Sequence, residues 1–400
     1  MKKKGNMLIA QSGGPSMVIN QSLVGAVLAA RDLNEVGKIY GALHGIQGIM
    51  NENFINLRKE TKATLEAVAF TPSAALGSVR RKPTKQDCNK IFNVLRKMGI
   101  MYFFYIGGND SAETVHIINE EAAGSGCDIR CFHIPKTIDN DLRENDHTPG
   151  FGSAARFVAS ALRGDDLDNR ALGGVKIDVI MGRHAGFLTA AAALAKADED
   201  DGPHLIYMPE RAFSMSRFVK DVKSAMKKYG RCVVAVSEGI SDRKGLPIVA
   251  KYTQEVDSHG NVQLSGTGAL GDLLAKELKE KAGIKRVRAD TFGYLQRSFP
   301  GMISKTDASE ARAVGAAAVM AAVVDGMESG SIAVKRRKSK KYGVNYVPVP
   351  LRKVARETRH MPASYINKAG NYVTKAFLDY ARPLVGPLAP CARFAQLRKK

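Results

Sequence analysis

"MYFFYIGGND" occupies residues 101–110, and its reading decides the fold class. An apolar, aromatic-rich run of strand length ends in two glycines. Asn109, Asp110 and Ser111 follow, all residue types that start helices, and a helix is expected from 111 to about 123. The same unit recurs along the chain. "NMLIAQ" (6–11) ends in "SGGP" before a run of helical period, and "IRCFHI" (129–134) runs into "PKTIDND" (135–141). "VKIDVI" (175–180) runs into "MGRHAG" and an alanine-rich helix, "FLTAAAALAKA" (187–197). "RCVVAVSEG" (231–239) follows a helical stretch at 213–230. Strand–loop–helix repetition implies parallel sheets covered by helices on both faces, an α/β fold. In such sheets ligands bind at the carboxyl ends of the strands, where all these loops fall.

The chain has 400 residues, 44% apolar and 25% charged, which is ordinary for soluble domains. No run of about 18 apolar residues predicts a membrane span. The N-terminus is too short in its apolar part for a signal peptide. Five scattered cysteines without zinc-like spacing read as reduced thiols in a cytoplasmic protein. The net charge of +21 invites a polyanionic partner, yet no aromatics interleave with the basic runs at 2–4 and 335–341, and tryptophan is absent. Nucleic acid is therefore disfavoured against a solvated basic surface around a site for small anions. The segment from 331 reads as a basic linker and then a C-terminal extension packing back on the body.

Three loops carry chemistry. In "SGG", Gly13 and Gly14 would let backbone amides approach phosphate oxygens. This loop is not GxGxxG, and GxxxxGK[ST] occurs nowhere, so the loop carries neither a dinucleotide nor a P-loop fingerprint. "GGND" repeats the geometry with Asp110 at its mouth; helix capping is the plain alternative for any one of Asn109, Asp110 and Ser111. In "PKTIDND", Asp139 and Asp141 sit beside Thr137 and Lys136. A carboxylate there would accept a hydroxyl proton or hold a metal, and Lys136 would neutralise phosphate charge.

Taken in order, "SGG", "GGND", "PKTIDND", "MGRHAG", "SEG" and "GYLQR" resemble the phosphofructokinases, over residues 6 to about 330. The tail at 357–386 is similar to the C-terminal extension of their pyrophosphate-dependent bacterial branch. The resemblance implies two parallel-sheet, three-layer domains with a C-terminal extension. A phosphoryl-donor domain is expected at 1–140 and a sugar-phosphate domain at 141–265. A return segment completing both is expected at 266–330, then linker and extension at 331–400. It also implies fructose 6-phosphate and pyrophosphate as substrates, Mg²⁺ as cofactor, and a homodimer or homotetramer. Asp139 would be the base for the 1-hydroxyl, with Lys136 and Asp110 completing the catalytic set. Gly13, Gly14 and Lys136 would bind pyrophosphate, and Asn109 would contact the metal. Thr137, Asp139, Met181, Gly182, Arg183 and Glu238 would hold the sugar. Arg288, Tyr294 and Arg297 would grip the 6-phosphate, Arg288 from a neighbouring subunit.

The ATP-using branch has "GGDG" and commonly "PGTIDND", where this chain has Asp110 and Lys136. A carboxylate at the place of the nucleotide's α-phosphate would exclude ATP by charge and volume. Two alternatives stay open: the same sugar chemistry with ATP, and a catalytically silent regulatory or RNA-binding subunit. An arginine that the ATP branch places seven residues before "MGR" is Gly174 here, with Lys176 the nearest cation.

Overall fold

A computed structural model describes residues 4–251, 268–355 and 357–394. Its strands in chain order are β1 (Gly5–Gln11), β2 (Val36–Ala42), β3 (Phe54–Asn56), β4 (Ile100–Gly107), β5 (Arg130–Pro135), β6 (Gly174–Ile180), β7 (Leu205–Tyr207), β8 (Arg231–Ser237), β9 (Val287–Thr291), β10 (Ser329–Arg336) and β11 (Val344–Val349). They form a seven-stranded sheet in the order β11-β10-β5-β4-β1-β2-β3 and a four-stranded sheet in the order β7-β8-β6-β9. All pairings are parallel except the two edges of the larger sheet, β2–β3 and β10–β11.

The apolar run that opened the reading is β4, in the middle of the larger sheet. Its residues alternate between two cores: Tyr102, Phe104 and Ile106 face one, and Phe103 and Tyr105 the other. A strand buried on both faces needs no polar alternation, which is why it reads as a continuous apolar block. Helices Ile19–Arg31 and Lys305–Val319 cover one face of this sheet. They approach closely through glycines: a Cβ on Gly25 would lie 2.1 Å from the Arg312 carbonyl, and one on Gly315 would lie 2.0 Å from that of Ser22.

The stretch from 331, expected to open as a basic linker, instead opens within the hairpin β10–β11, hydrogen-bonded onto β5. Ile332, Ala333 and Val334 are fully buried, while the lysines 338, 340 and 341 gather at the hairpin turn. The basic run hid a strand because its apolar residues are few and precede the charges. The chain thus crosses between the sheets after β9. The expected boundary at 265/266 lies outside the described residues.

Beyond the hairpin the extension does pack on the body. Helix Lys375–Val385 sets Phe377, Tyr380 and Leu384 against Phe151 and Phe187. The alanine-rich segment makes one α-helical turn at Phe187–Ala190 and then tightens to 3-10 geometry over Ala191–Ala195. It lies in the core between the helices Phe151–Leu172 and Lys375–Val385. Tertiary burial there overrides alanine's α propensity.

Candidate active site

The three loops meet in a cavity of about 550 Å³ at the carboxyl ends of β1, β4 and β5, facing the ends of β6 and β8. The loop after β4 defines one wall. Its helix starts at Asn109 with Gly108 as the N-cap, so none of Asn109, Asp110 and Ser111 caps it with its side chain. Those side chains are spent elsewhere. Asp110 Oδ1 pairs with Lys82 Nζ at 3.0 Å, and the same ammonium meets Glu113 at 2.7 Å. Asn109 Nδ2 donates to the Glu357 carbonyl at 2.8 Å, and Ser111 bonds the Ser12 hydroxyl.

The loop after β1 supplies close approach but less donation than its sequence promised. The Gly13 amide is taken by the Val79 carbonyl at 3.1 Å, and the Gly14 carbonyl accepts from Lys136 Nζ. A Cβ on Gly14 would stand 2.7 Å from Arg297 Nη1, so a larger residue there would push that guanidinium aside. Lys136 is 3% exposed. Burial and the guanidinium groups of Arg297 and Arg80 bring its ammonium down to about 7.

Opposite this cationic cluster stand carboxylates. Asp139 is half-buried, its amide bonds Thr137 Oγ1 at 3.1 Å, and its Oδ1, out of reach of solvent, has no hydrogen-bond partner. Burial first, then the charges of Asp141 and Glu238, raise it to about 7. Asp141 is raised by burial and opposed by a bond from Thr137. A half-buried carboxylate with an unpartnered oxygen, next to a lysine and two arginines, suits a base that must take a proton beside a phosphoryl group.

On the sugar side, Met181 and Arg183 line the cavity at the end of β6, with Glu238 after β8 and Arg297 behind "GYLQ". Gly182 does not line it; with φ +133° it makes the turn, its carbonyl held by Ser237 Oγ at 2.7 Å. Tyr294 is 47% exposed and outside the cavity lining, with the Arg297 guanidinium 4.5 Å above its ring. Arg288 is exposed on the edge strand β9, away from its own chain's cavity. Lys176, the cation nearest to Gly174, has its ammonium held by Asp290, with Asp165 at 3.6 Å.

Sequence reasoning missed several cavity residues. Arg80, Arg81 and Lys82 line the donor side, and Thr358 and His184 complete the rim. "RRK" was visible as three consecutive cations after a glycine turn, but overall basicity masked it. Thr358 carries no signal, being brought in by the extension.

Known proteins match over the whole chain. The family profile described as Phosphofructokinase matches residues 6–322. A pyrophosphate–fructose 6-phosphate 1-phosphotransferase of Rhodospirillum rubrum is 58% identical, covering 97% of this chain and 96% of its own. One from Xanthomonas campestris is 40% identical over 97% of this chain and 93% of its own. The crystal structure of a pyrophosphate-dependent phosphofructokinase from Marinobacter aquaeolei superposes with a TM-score of 0.85 at 32% identity, covering 99% of this chain and 95% of that one. With loops, sheets and length all in correspondence, the chain belongs to the phosphofructokinase family.

Proposed function

We propose that this protein moves a phosphoryl group from pyrophosphate to the 1-hydroxyl of fructose 6-phosphate, reversibly. The products are fructose 1,6-bisphosphate and orthophosphate. The observation that carries the reading is the half-buried Asp139, with an unpartnered Oδ1 and a carboxyl raised to about 7, set against Lys136 and Arg297. Asp139 takes the hydroxyl proton as the sugar oxygen bonds to phosphorus. The bridging P–O bond breaks, and orthophosphate leaves with the electron pair. Lys136 stabilises charge on the transferring group and the leaving orthophosphate. Thr137, Met181, Arg183 and Glu238 hold the sugar, and Gly182 shapes the turn that presents Met181 and Arg183. Arg297 takes the 6-phosphate, with Tyr294 supporting it and Arg288 coming from a neighbouring subunit of a homodimer or homotetramer. Arginine suits this task because its fork pairs phosphate oxygens bidentately.

Asp110 acts through Lys82. The pair fills the end of the cavity where a nucleotide's α-phosphate would go and keeps a cation beside the donor. Because the carboxylate is paired, filled volume contributes more than bare repulsion to excluding ATP. Gly13 and Gly14 serve by close approach rather than by the Gly13 amide.

Phosphofructokinases generally use a divalent metal, and here we assign Mg²⁺. The Asp141 carboxylate and the Asn109 side chain, both lining the cavity, fit a cation carried in on pyrophosphate and leave Asp139 to the proton. The acidic groups elsewhere fit less well: Asp290 and Asp165 already hold Lys176, and Asp198 and Asp200 already hold Arg393. When bound, Mg²⁺ offsets phosphate charge. Among the described residues no helix is long and apolar enough to cross a membrane. We assign a cytoplasmic location and no nucleic-acid partner.

A coupled assay for fructose 1,6-bisphosphate, with pyrophosphate and ATP offered in turn, tests the donor. Turnover with pyrophosphate and little or none with ATP is expected. Preference for ATP would overturn the reading.

A further inference from the structure

The base Asp139 lies in a loop whose next residue, Asn140, is in the left-handed region at φ 61°. A non-glycine residue is held there only when its surroundings over-determine it. At Asn140 two of the three groups doing so come from the C-terminal extension. Asn140 Nδ2 donates to the Tyr380 hydroxyl at 2.7 Å, and that hydroxyl donates onward to the Asp146 carbonyl at 2.7 Å. The Asn140 carbonyl accepts from Arg359 Nη2 at 2.6 Å, and its Oδ1 accepts the Thr148 amide at 3.0 Å.

Arg359 does more. Its Nη1 reaches the Asp146 carbonyl at 2.9 Å and that of Asn145 at 2.5 Å, and its own amide donates to the Asp141 carbonyl at 2.6 Å. Thr358 pairs with Leu142 as an antiparallel bridge. Residues 358 and 359 thus lie along the base loop and bond its backbone from Asn140 to Asp146, immediately after Asp139. It also reaches the donor wall, where the Glu357 carbonyl accepts from Asn109. Both positioning side chains are themselves fixed. The Arg359 guanidinium sits 4.7 Å over the Phe187 ring, and Arg336 sits 4.2 Å over that of Tyr380 while bonding its carbonyl at 2.7 Å.

We propose that Arg359 and Tyr380 are positioning residues for catalysis. On this view the extension sets the geometry of Asp139 and ties it to the donor-binding helix. The inference rests on the phosphotransferase reading, because it needs Asp139 to be the base. It goes further in giving the extension a task in turnover rather than in packing alone.

Tyr380→Phe is the sharpest test, since it removes one hydroxyl and leaves the ring stack. With wild type active on pyrophosphate, kcat is expected to fall ~10-fold while KM for both substrates stays within about twofold. Arg359→Lys keeps the charge but loses the fork, and a fall of ~10–100-fold is expected. Asn140→Gly tolerates the backbone angle but loses the bond to Tyr380. Combined with Tyr380→Phe, it should cost little beyond the larger single effect. If Tyr380→Phe lowers only the thermal midpoint, or only raises KM, with kcat per folded molecule unchanged, the positioning role is wrong. If wild type itself fails with pyrophosphate, the reading beneath is wrong instead. Should Arg359→Lys fail to fold, Tyr380→Phe and the cycle with Asn140→Gly still decide.

Discussion

Asp139→Asn should make this protein slower and more stable at once. The substitution is isosteric and removes the proton acceptor. Loss of a positioned base costs ~10²–10⁴ in rate, a barrier increase of about 3–5 kcal/mol. The stability effect has the opposite sign. In the fold the Asp139 carboxyl is raised from 3.8 to about 7 by burial and by Asp141 and Glu238. A carboxyl raised in this way destabilises the folded state when it ionises. The penalty is absent below its unfolded value and complete above about 7. A shift of this size corresponds to on the order of 2–4 kcal/mol after allowing for its charged neighbours. Asparagine carries no such penalty and gives up no bond, because Oδ1 has no partner to lose. Unfolding in urea at pH 5 and pH 8, beside steady-state kinetics with fructose 6-phosphate and pyrophosphate, measures both. The variant's advantage should widen from pH 5 to pH 8, with KM nearly unchanged. A variant that keeps more than about a tenth of wild-type kcat, or is less stable at pH 8, would refute the assignment.

Three further outcomes are expected. In the free enzyme kcat/KM should peak near pH 7, rising as Asp139 ionises and falling as Lys136 loses its proton, both at about 7; a flat profile from pH 6 to 9 counts against the pair. Lys136→Met should lower pyrophosphate turnover by ~10²–10³-fold without admitting ATP, as kinetics with both donors will read. Asp110→Gly should raise ATP-dependent activity and lower pyrophosphate turnover. It should cost only about 1–2 kcal/mol of stability, because the pair with Lys82 is exposed and Lys82 keeps Glu113. ATP use that stays undetectable, while an ATP analogue still fails to bind, removes the blocking role.

The sequence was legible where chemistry is local. β4 and the loops ending in Gly108, Lys136 and Met181 could be read because a strand buried on both faces and a glycine turn each leave a continuous signature. Asp139, Lys136, Glu238 and Arg297 follow from those loops, and the structure brings them to one cavity. Long-range contacts left no such trace. Nothing near "GGND" announces that Asp110 will meet Lys82 or that Asn109 will bond a carbonyl at 357. Arg359 and Tyr380 reach Asn140 from more than 200 positions away. The hairpin at 329–349 was obscured by its own charge: lysines crowd the turn, and four buried apolar residues, three of them consecutive, are too few to set a period. Gly13 shows the reverse error, where a motif suggested a free amide that the fold gives to Val79.

The central claim is the donor, and phosphorus NMR of the wild-type protein tests it without a coupling enzyme. Fructose 6-phosphate, pyrophosphate and Mg²⁺ should yield the sugar's new 1-phosphate resonance and the orthophosphate resonance in equal amounts as pyrophosphate is consumed. Fructose 1,6-bisphosphate with orthophosphate should regenerate pyrophosphate under the same conditions. ATP in place of pyrophosphate should leave its three phosphorus resonances unchanged. Conversion of ATP to ADP with pyrophosphate untouched would contradict the account.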